Sequence, residues 1–276
     1  QINTGGKRLR PALAIISCLA CGGKIKDVMY PAAGLEILHT YTLVIDDIID
    51  NSSMRRGKPT TWKKFGRSFA ECAAADYGAS LLQVIAKTKN PREVSRIYAE
   101  ALKTIMDGQI EDVLLEQKGR EDEPFAKENR IRHISFPIYK QMIGNKTASL
   151  FQASCELGAR STLASAKQVA TLKEYGRNLG VAFQITDDIL DIYGKGELGK
   201  PVGQDIRERK LGNILVFFAL KEFSPKVGRD FRKLLAKKSV QKKEIARAIR
   251  AIKSTGARDL ALSIANSPLT LYAATG

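Results

Sequence analysis

Long apolar runs of helical length recur along the chain, and strand-like alternation is rare. Residues 12–19 and 32–49 are mostly apolar and free of Pro, which suits buried helices better than strands. Residues 66–118 read as two or three helices, and the charged, Pro-containing stretch KGREDEPFAKEN at 118–129 as a solvated loop. Helix is expected again over residues 139–158, a further apolar run closes at 183–191, and residues 214–266 read as a peripheral set of amphipathic helices. With only 9 Pro and much Ala, Leu, Lys and Glu, the pattern predicts an all-α chain. No Gly/Ser/Pro-rich linker divides its 276 residues, so a single large helical bundle, one domain over 1–276, is expected.

The most distinctive stretch is LHTYTLVIDDIIDNSSMRRGKPTTW at 38–62, where the apolar run ends in Asp46, Asp47 and Asp50, followed by Arg55, Arg56 and Gly57. On a helix Asp46 and Asp50 share a face, with Asp47 about 100° round. Carboxylates gathered at the end of an apolar helix repel one another, resist burial and oppose the macrodipole. A hard divalent cation removes the conflict, because it takes oxygen ligands and neutralises the cluster. A solvated helix end is the bland reading. Against it stands a second copy of the spacing, FQITDDILD at 183–191, giving Asp187, Asp188 and Asp191, with Asp205 downstream. Two carboxylate sets facing each other across a cavity could hold a diphosphate through several Mg²⁺ ions.

Basic groups stand near these sets. GGKRLRP at 5–11 joins flexible backbone to Lys7, Arg8 and Arg10; backbone N–H groups bared by glycine and guanidinium forks both suit phosphate, although a plain basic loop fits as well. His39 lies two helical turns before Asp46 on the same face. Lys146, in a largely apolar stretch, must either snorkel or meet an anion.

Taken together, DDIIDNSSMRRGKPT at 46–60, GVAFQITDDILDIYGKGELGKPVGQDIRERK at 180–210, GGKRLRP, DGQIEDV at 107–113 and KTASLF at 146–151 resemble the trans-isoprenyl diphosphate synthases, or polyprenyl synthetases, with the motifs in that family's order over almost the whole chain. The resemblance implies an all-α bundle of the isoprenoid synthase type around a central cavity. It also implies an Mg²⁺-dependent prenyltransferase that joins isopentenyl diphosphate head-to-tail to an allylic diphosphate. The allylic C–O bond breaks to a cation in a dry cavity, the isopentenyl double bond attacks, and a proton leaves to the departing diphosphate.

By the same resemblance Asp46, Asp50 and Asp187 hold about three Mg²⁺ ions when diphosphate is bound, with Asp47, Asp188, Asp191 and Asp205 as further or supporting ligands. Lys7, Arg10, His39 and Arg56 bind isopentenyl diphosphate, and Arg8 lies nearby. Arg55, Lys146, Thr147, Gln184, Lys200 and Lys210 bind the allylic diphosphate, the charged ones adding positive charge where the leaving group turns negative. Gln109 and Asp112 are expected to line the cavity and support the metal site. One departure stands out: relatives follow the last lysine with Thr, whereas this chain continues Leu211-Gly212-Asn213, so a hydroxyl at a helix start is expected to be lost. Tyr41, about 7.5 Å before Asp46 along a helix, and Leu38 are the expected cavity floor, with Thr42 leaving room beside the ring. An aromatic here implies short products: geranylgeranyl diphosphate, with farnesyl diphosphate as the alternative.

The net charge of +16 brings nucleic acid to mind, but the excess is concentrated late: residues 221–276 hold 13 Lys+Arg against 4 Asp+Glu, without the aromatic interleaving of a single-strand binder. A basic surface that attracts diphosphates, or associates weakly with anionic membrane, accounts for it. No charge-free apolar stretch of about 18–20 residues is seen and no signal peptide, so a cytoplasmic protein is expected. Cys18 and Cys21 form a C-x-x-C without a second pair, which reads as packed thiols rather than a zinc or redox site. Family members carry a further N-terminal helix and assemble as homodimers, so a trimmed start and a homodimer are expected. A terpene cyclase would not need the second diphosphate site, and a non-catalytic partner subunit tends to lose aspartates or lysines; none of those named is missing.

Overall fold

The computed structural model describes residues 6–194 and 202–266; Lys200, assigned above to the allylic diphosphate, lies outside them, as does Gly5. Apart from a two-residue hairpin and an isolated bridge, the regular structure of the described residues is helical. The chain forms two compact units, the first running to Met106 with Thr147–Gly180 added, the second comprising Asp107–Lys146 and the chain from Val181. Two helices, α5 (Pro91–Leu114) and α9 (Ala166–Tyr193), contribute to both.

In the first unit, α2 (Ile25–Ile49) packs on α1 (Leu9–Ala20), α3 (Thr61–Phe65), α4 (Arg67–Ala86) and α8 (Ser149–Arg160). Its start lies seven residues before the apolar run, where Asp27 in the first turn reaches back so that its Oδ2 accepts from Lys24 N at 3.1 Å. Pro31 therefore sits inside the helix, where its carbonyl accepts from the Tyr98 hydroxyl. Around it a core gathers Leu35, Leu38, Ile97, Tyr98, Leu150 and Leu157, each such burial stabilising by about 1.5–3 kcal/mol. By length and composition α2 also passes for a bilayer-spanning helix, although Glu36 interrupts its apolar run, and its packing is that of a core helix.

What ends α2 shapes the first aspartate motif. Asp50 is the C-cap, and Asn51 follows in the left-handed region at φ 50°. Asn51 N donates to Ile48 O at 3.3 Å and Ser52 N to Asp47 O at 3.0 Å, a Schellman closure. The chain then turns back through β1 (Met54–Arg55) and β2 (Lys58–Pro59), joined by Arg56 and Gly57, both with positive φ, as a two-residue type I′ hairpin requires.

The helix expected over 139–158 is interrupted. α7 (Phe136–Ile143) gives way to one π-helical turn, Gly144–Ala148, before α8. Such turns commonly mark functional positions, and this one carries Lys146 and Thr147. It lies hard against α5: a Cβ at Gly108 would stand 2.2 Å from Lys146 N. The expected loop at 118–129 holds a short helix, α6 (Pro124–Glu128), started by Pro at its first position. In the second unit α10 (Gln204–Arg207) packs on α13 (Lys242–Lys253), and α11 (Ile214–Glu222) on α13 and α14 (Ala257–Asn266), with α12 (Pro225–Leu235) before them. Gly108→Ala should lower stability by about 1–3 kcal/mol through overpacking; thermal unfolding of the purified variant measures it, and an unchanged midpoint would mean that α5 and the π turn can part at no cost.

Candidate active site

The first unit gathers the N-terminal cations and the first aspartate motif. Arg8, at φ 52°, caps the start of α1 and ion-pairs with Glu36 on α2. Gly6 is confined by this cluster, since a Cβ there would lie 2.6 Å from Arg56 Nη1 and 2.8 Å from Arg8 Nη1. Arg10 stacks over the Phe151 ring at 4.7 Å and places Nη1 3.1 Å from His39 Nε2. Arginine can only donate, so Nε2 accepts and His39 is neutral with its proton on Nδ1. Burial, reinforced by Arg10, Arg56 and Arg55, holds the His39 pKa well below its ordinary value. Lys7 is exposed. These are the residues expected for isopentenyl diphosphate, and the structure brings Arg10, His39 and Arg56 into one electropositive cluster.

Arg55 grips the motif from the hairpin: its Nε donates to Asp47 Oδ1 and its Nη2 to Asp46 Oδ2, both at 2.8 Å. Asp47 is 1% exposed whereas Asp46 and Asp50 are half-buried. The three carboxylates thus differ in surroundings: Asp47 lies beneath the guanidinium, and Asp46 and Asp50 occupy the shared face. Leu38 belongs to the core, Tyr41 packs half-buried against two hydrophobic clusters, and Thr42 Oγ1 donates to His39 O at 2.9 Å.

The second unit holds the lysines and the second motif. Lys146 Nζ and Lys210 Nζ both donate to Asp112 Oδ2, at 2.7 and 2.9 Å. Burial alone would raise the Asp112 pKa; the two ammonium groups outweigh it and bring it down to about 2. Asp188 is buried and fully engaged, accepting from Tyr139 Oη, Ile214 N and Gln184 Nε2, each at 2.9 Å. Asp191 accepts from Gln204 N at 2.8 Å at the start of α10, and Asp187 is half-buried. Burial, with Asp205 close by, pushes Asp188 and Asp191 well above the usual carboxylate range. Asn213 makes up for the Thr expected after the last lysine. Its Oδ1 accepts from Leu215 N at 2.9 Å, capping α11, while its Nδ2 donates to Asp205 Oδ2 at 2.8 Å and to Asp188 O at 3.3 Å. Among the described residues no group of three or more His, Cys, Asp or Glu is preassembled as a metal site.

The polyprenyl synthetase family model matches residues 1–252. This chain belongs to the polyprenyl synthetase family. It is 35% identical over 253 residues to a short chain isoprenyl diphosphate synthase of Methanocaldococcus jannaschii, covering 90% of this chain and 73% of that one. Against a geranylgeranyl diphosphate synthase of Sulfolobus acidocaldarius it is 37% identical over 257 residues, covering 91% and 74%. A crystal structure of a polyprenyl synthase from Caulobacter crescentus, complexed with calcium and isoprenyl diphosphate, superposes with a TM-score of 0.87 at 29% identity, covering 97% of this chain and 77% of that one.

Within this polyprenyl synthetase, sequence reasoning reached the cations and the aspartates but not their holders. Tyr139, Glu36 and the double role of Asp112 went unseen, because each depends on contacts 28 to 98 residues apart along the chain. Asn213 had a readable signal, a capping residue just before the apolar run ILVFFAL. Because Asp112 has a folded pKa below its unfolded value, its stabilisation is present above about pH 4 and is lost as pH falls towards about 2. Asp112→Asn should remove that part of the acid limb and, by leaving two ammonium groups without their carboxylate, destabilise by about 3 kcal/mol at neutral pH. Urea unfolding across the pH range measures both.

Proposed function

We propose that this chain is a short-chain trans-prenyltransferase that condenses isopentenyl diphosphate with dimethylallyl, geranyl or farnesyl diphosphate, with geranylgeranyl diphosphate as its main product. The observation that carries the reading is the pair of ammonium groups, Lys146 and Lys210, aimed by one buried carboxylate: fixed positive charge of this kind stabilises a departing diphosphate. Arg55, steadied by Asp46 and Asp47, adds a guanidinium on the allylic side, and Arg10, neutral His39 and Arg56 take the isopentenyl diphosphate. Asp46, Asp50, Asp187 and Asp191 are hard oxygen donors that fit Mg²⁺, and the raised pKa of Asp191 expresses a demand for positive charge. Substrate oxygens and water would complete the shell of such an ion. Bound Mg²⁺ supplies charge neutralisation for the leaving group. No protein nucleophile is required.

The same reading makes the enzyme a cytoplasmic homodimer. Phe69 and Leu82 stay exposed on α4 with Cys72, Ala75 and Ala79 between them on a helical stripe, an apolar face suited to a second copy. The 13 Lys and Arg of residues 221–266 are all exposed and supply weak attraction to anionic lipid surfaces. Sedimentation should give twice the chain mass, falling to one chain in Phe69→Glu, and binding to anionic but not neutral vesicles that vanishes at high salt.

The function itself is tested by incubating the protein with isopentenyl diphosphate, Mg²⁺ and each allylic primer, and measuring product lengths. C20 product that disappears with EDTA is expected, and Tyr41→Ala should extend it by one or more isoprene units. Diphosphate binding without elongation would replace the reading with a non-catalytic subunit, and unchanged lengths in Tyr41→Ala would remove that side chain from the floor.

A further inference from the structure

We propose that Glu116 is a positioning residue for Lys210: it clamps the left-handed Arg209 that precedes the lysine and thereby sets the direction of the ammonium group. This rests on the reading of Lys210 as a diphosphate ligand. Glu116 stands one turn beyond Asp112, just past the end of α5, and is 7% exposed. Its backbone pairs antiparallel with Lys210 as an isolated bridge, flanked by Gln117 N donating to Arg209 O at 2.9 Å and Leu211 N donating to Leu115 O at 3.2 Å. Its carboxylate takes Arg120 Nε at 2.7 Å on one oxygen and Arg209 Nη2 at 3.0 Å on the other.

Arg209 has φ 62°, in the region that L residues adopt only when held there. Its guanidinium is pinned at the other side too, with Nη1 donating to Lys238 O at 2.8 Å. The segment after α5 closes over the pair. Gly119, at φ 101°, lies close on the pair: a Cβ there would stand 3.0 Å from Glu116 Oε1 and 3.2 Å from Arg209 Nη2. Arg130 ties that segment down by donating to Gln117 O at 3.1 Å and Gly119 O at 2.6 Å.

A buried carboxylate with two guanidinium partners adds little stability over apolar packing of similar volume. It does fix geometry, because each partner holds it in one direction. The geometry fixed here is the backbone of the residue next to Lys210, whose Nζ is then delivered to Asp112 Oδ2 at 2.9 Å and Glu208 Oε2 at 3.2 Å.

The test is a kinetic cycle on the full chain. Glu116→Gln should lower kcat about tenfold, in the range seen when a group supporting a ligand is lost, with KM for isopentenyl diphosphate within about twofold. Combined with Lys210→Ala it should add nothing to the loss from Lys210→Ala alone. Arg209→Gly, whose backbone takes φ 62° without being held, should keep several-fold more kcat than Arg209→Ala. Glu116→Met, matching volume without charge, separates the roles: kcat should fall with the melting point near that of the wild type. Multiplicative losses in the double variant, or kcat per folded enzyme unchanged in Glu116→Gln, would overturn the proposal while leaving the function standing. Wild-type kcat in Lys210→Ala would overturn the proposal together with the reading of Lys210 as a diphosphate ligand on which it rests.

Discussion

A carboxylate taken out of water needs positive charge or several donors in place of its hydration shell, and this protein repeatedly builds its chemistry on that requirement. Asp47 lies under Arg55, and Asp112 holds Lys146 and Lys210. Glu156, 3% exposed, meets Arg96, Arg160 and Lys173. Asp188 is the exception in kind: neutral donors surround it, and its pKa rises accordingly. Where cations face a buried acid, the acid aims them; where neutral donors do, its proton is held more tightly.

Backbone devices deliver these groups. Asn51 closes α2 so that Asp46 and Asp50 stand at a helix end, and the Arg56–Gly57 turn brings Arg55 back onto Asp46 and Asp47. The π turn at Gly144–Ala148 sets Lys146 against α5, which only Gly108 lets approach so closely. Among the described residues four arginines, Arg8, Arg56, Arg120 and Arg209, occupy the left-handed region; the first two lie in the N-terminal cation cluster and the last two pair with Glu116. Strain of this kind persists only where surrounding contacts fix it, and the ion pairs of Arg8 and Arg209 with Glu36 and Glu116 are such contacts.

Much of the architecture was legible in the chain. Long apolar runs without strand alternation gave helices in the right places, and two DDxxD sets at the ends of such runs carried the family resemblance. Boundaries were less readable. Pro31 lies inside α2 because burial of the helix, helped by the Asp27 hydrogen bond at its start, outweighs the lost hydrogen bond, and a π turn has no composition of its own by which 144–148 could be distinguished from regular helix. The basic C-terminal helices were correctly taken as a solvated face, since their charges alternate with Ile245, Ala248 and Ile252 buried beneath them.

The sequence by itself determined the family and the helical class, because motif spacing and hydrophobic periodicity are local properties that one chain segment carries alone. Tertiary structure decided which acid holds which base. Asp46, Asp47 and Asp50 are the same residue type within one turn, yet they differ in burial and partners, as do Asp187, Asp188 and Asp191. Which carboxylate is buried, and what replaces its water, depends on side chains brought from as far as 98 residues away, and no local pattern encodes that choice.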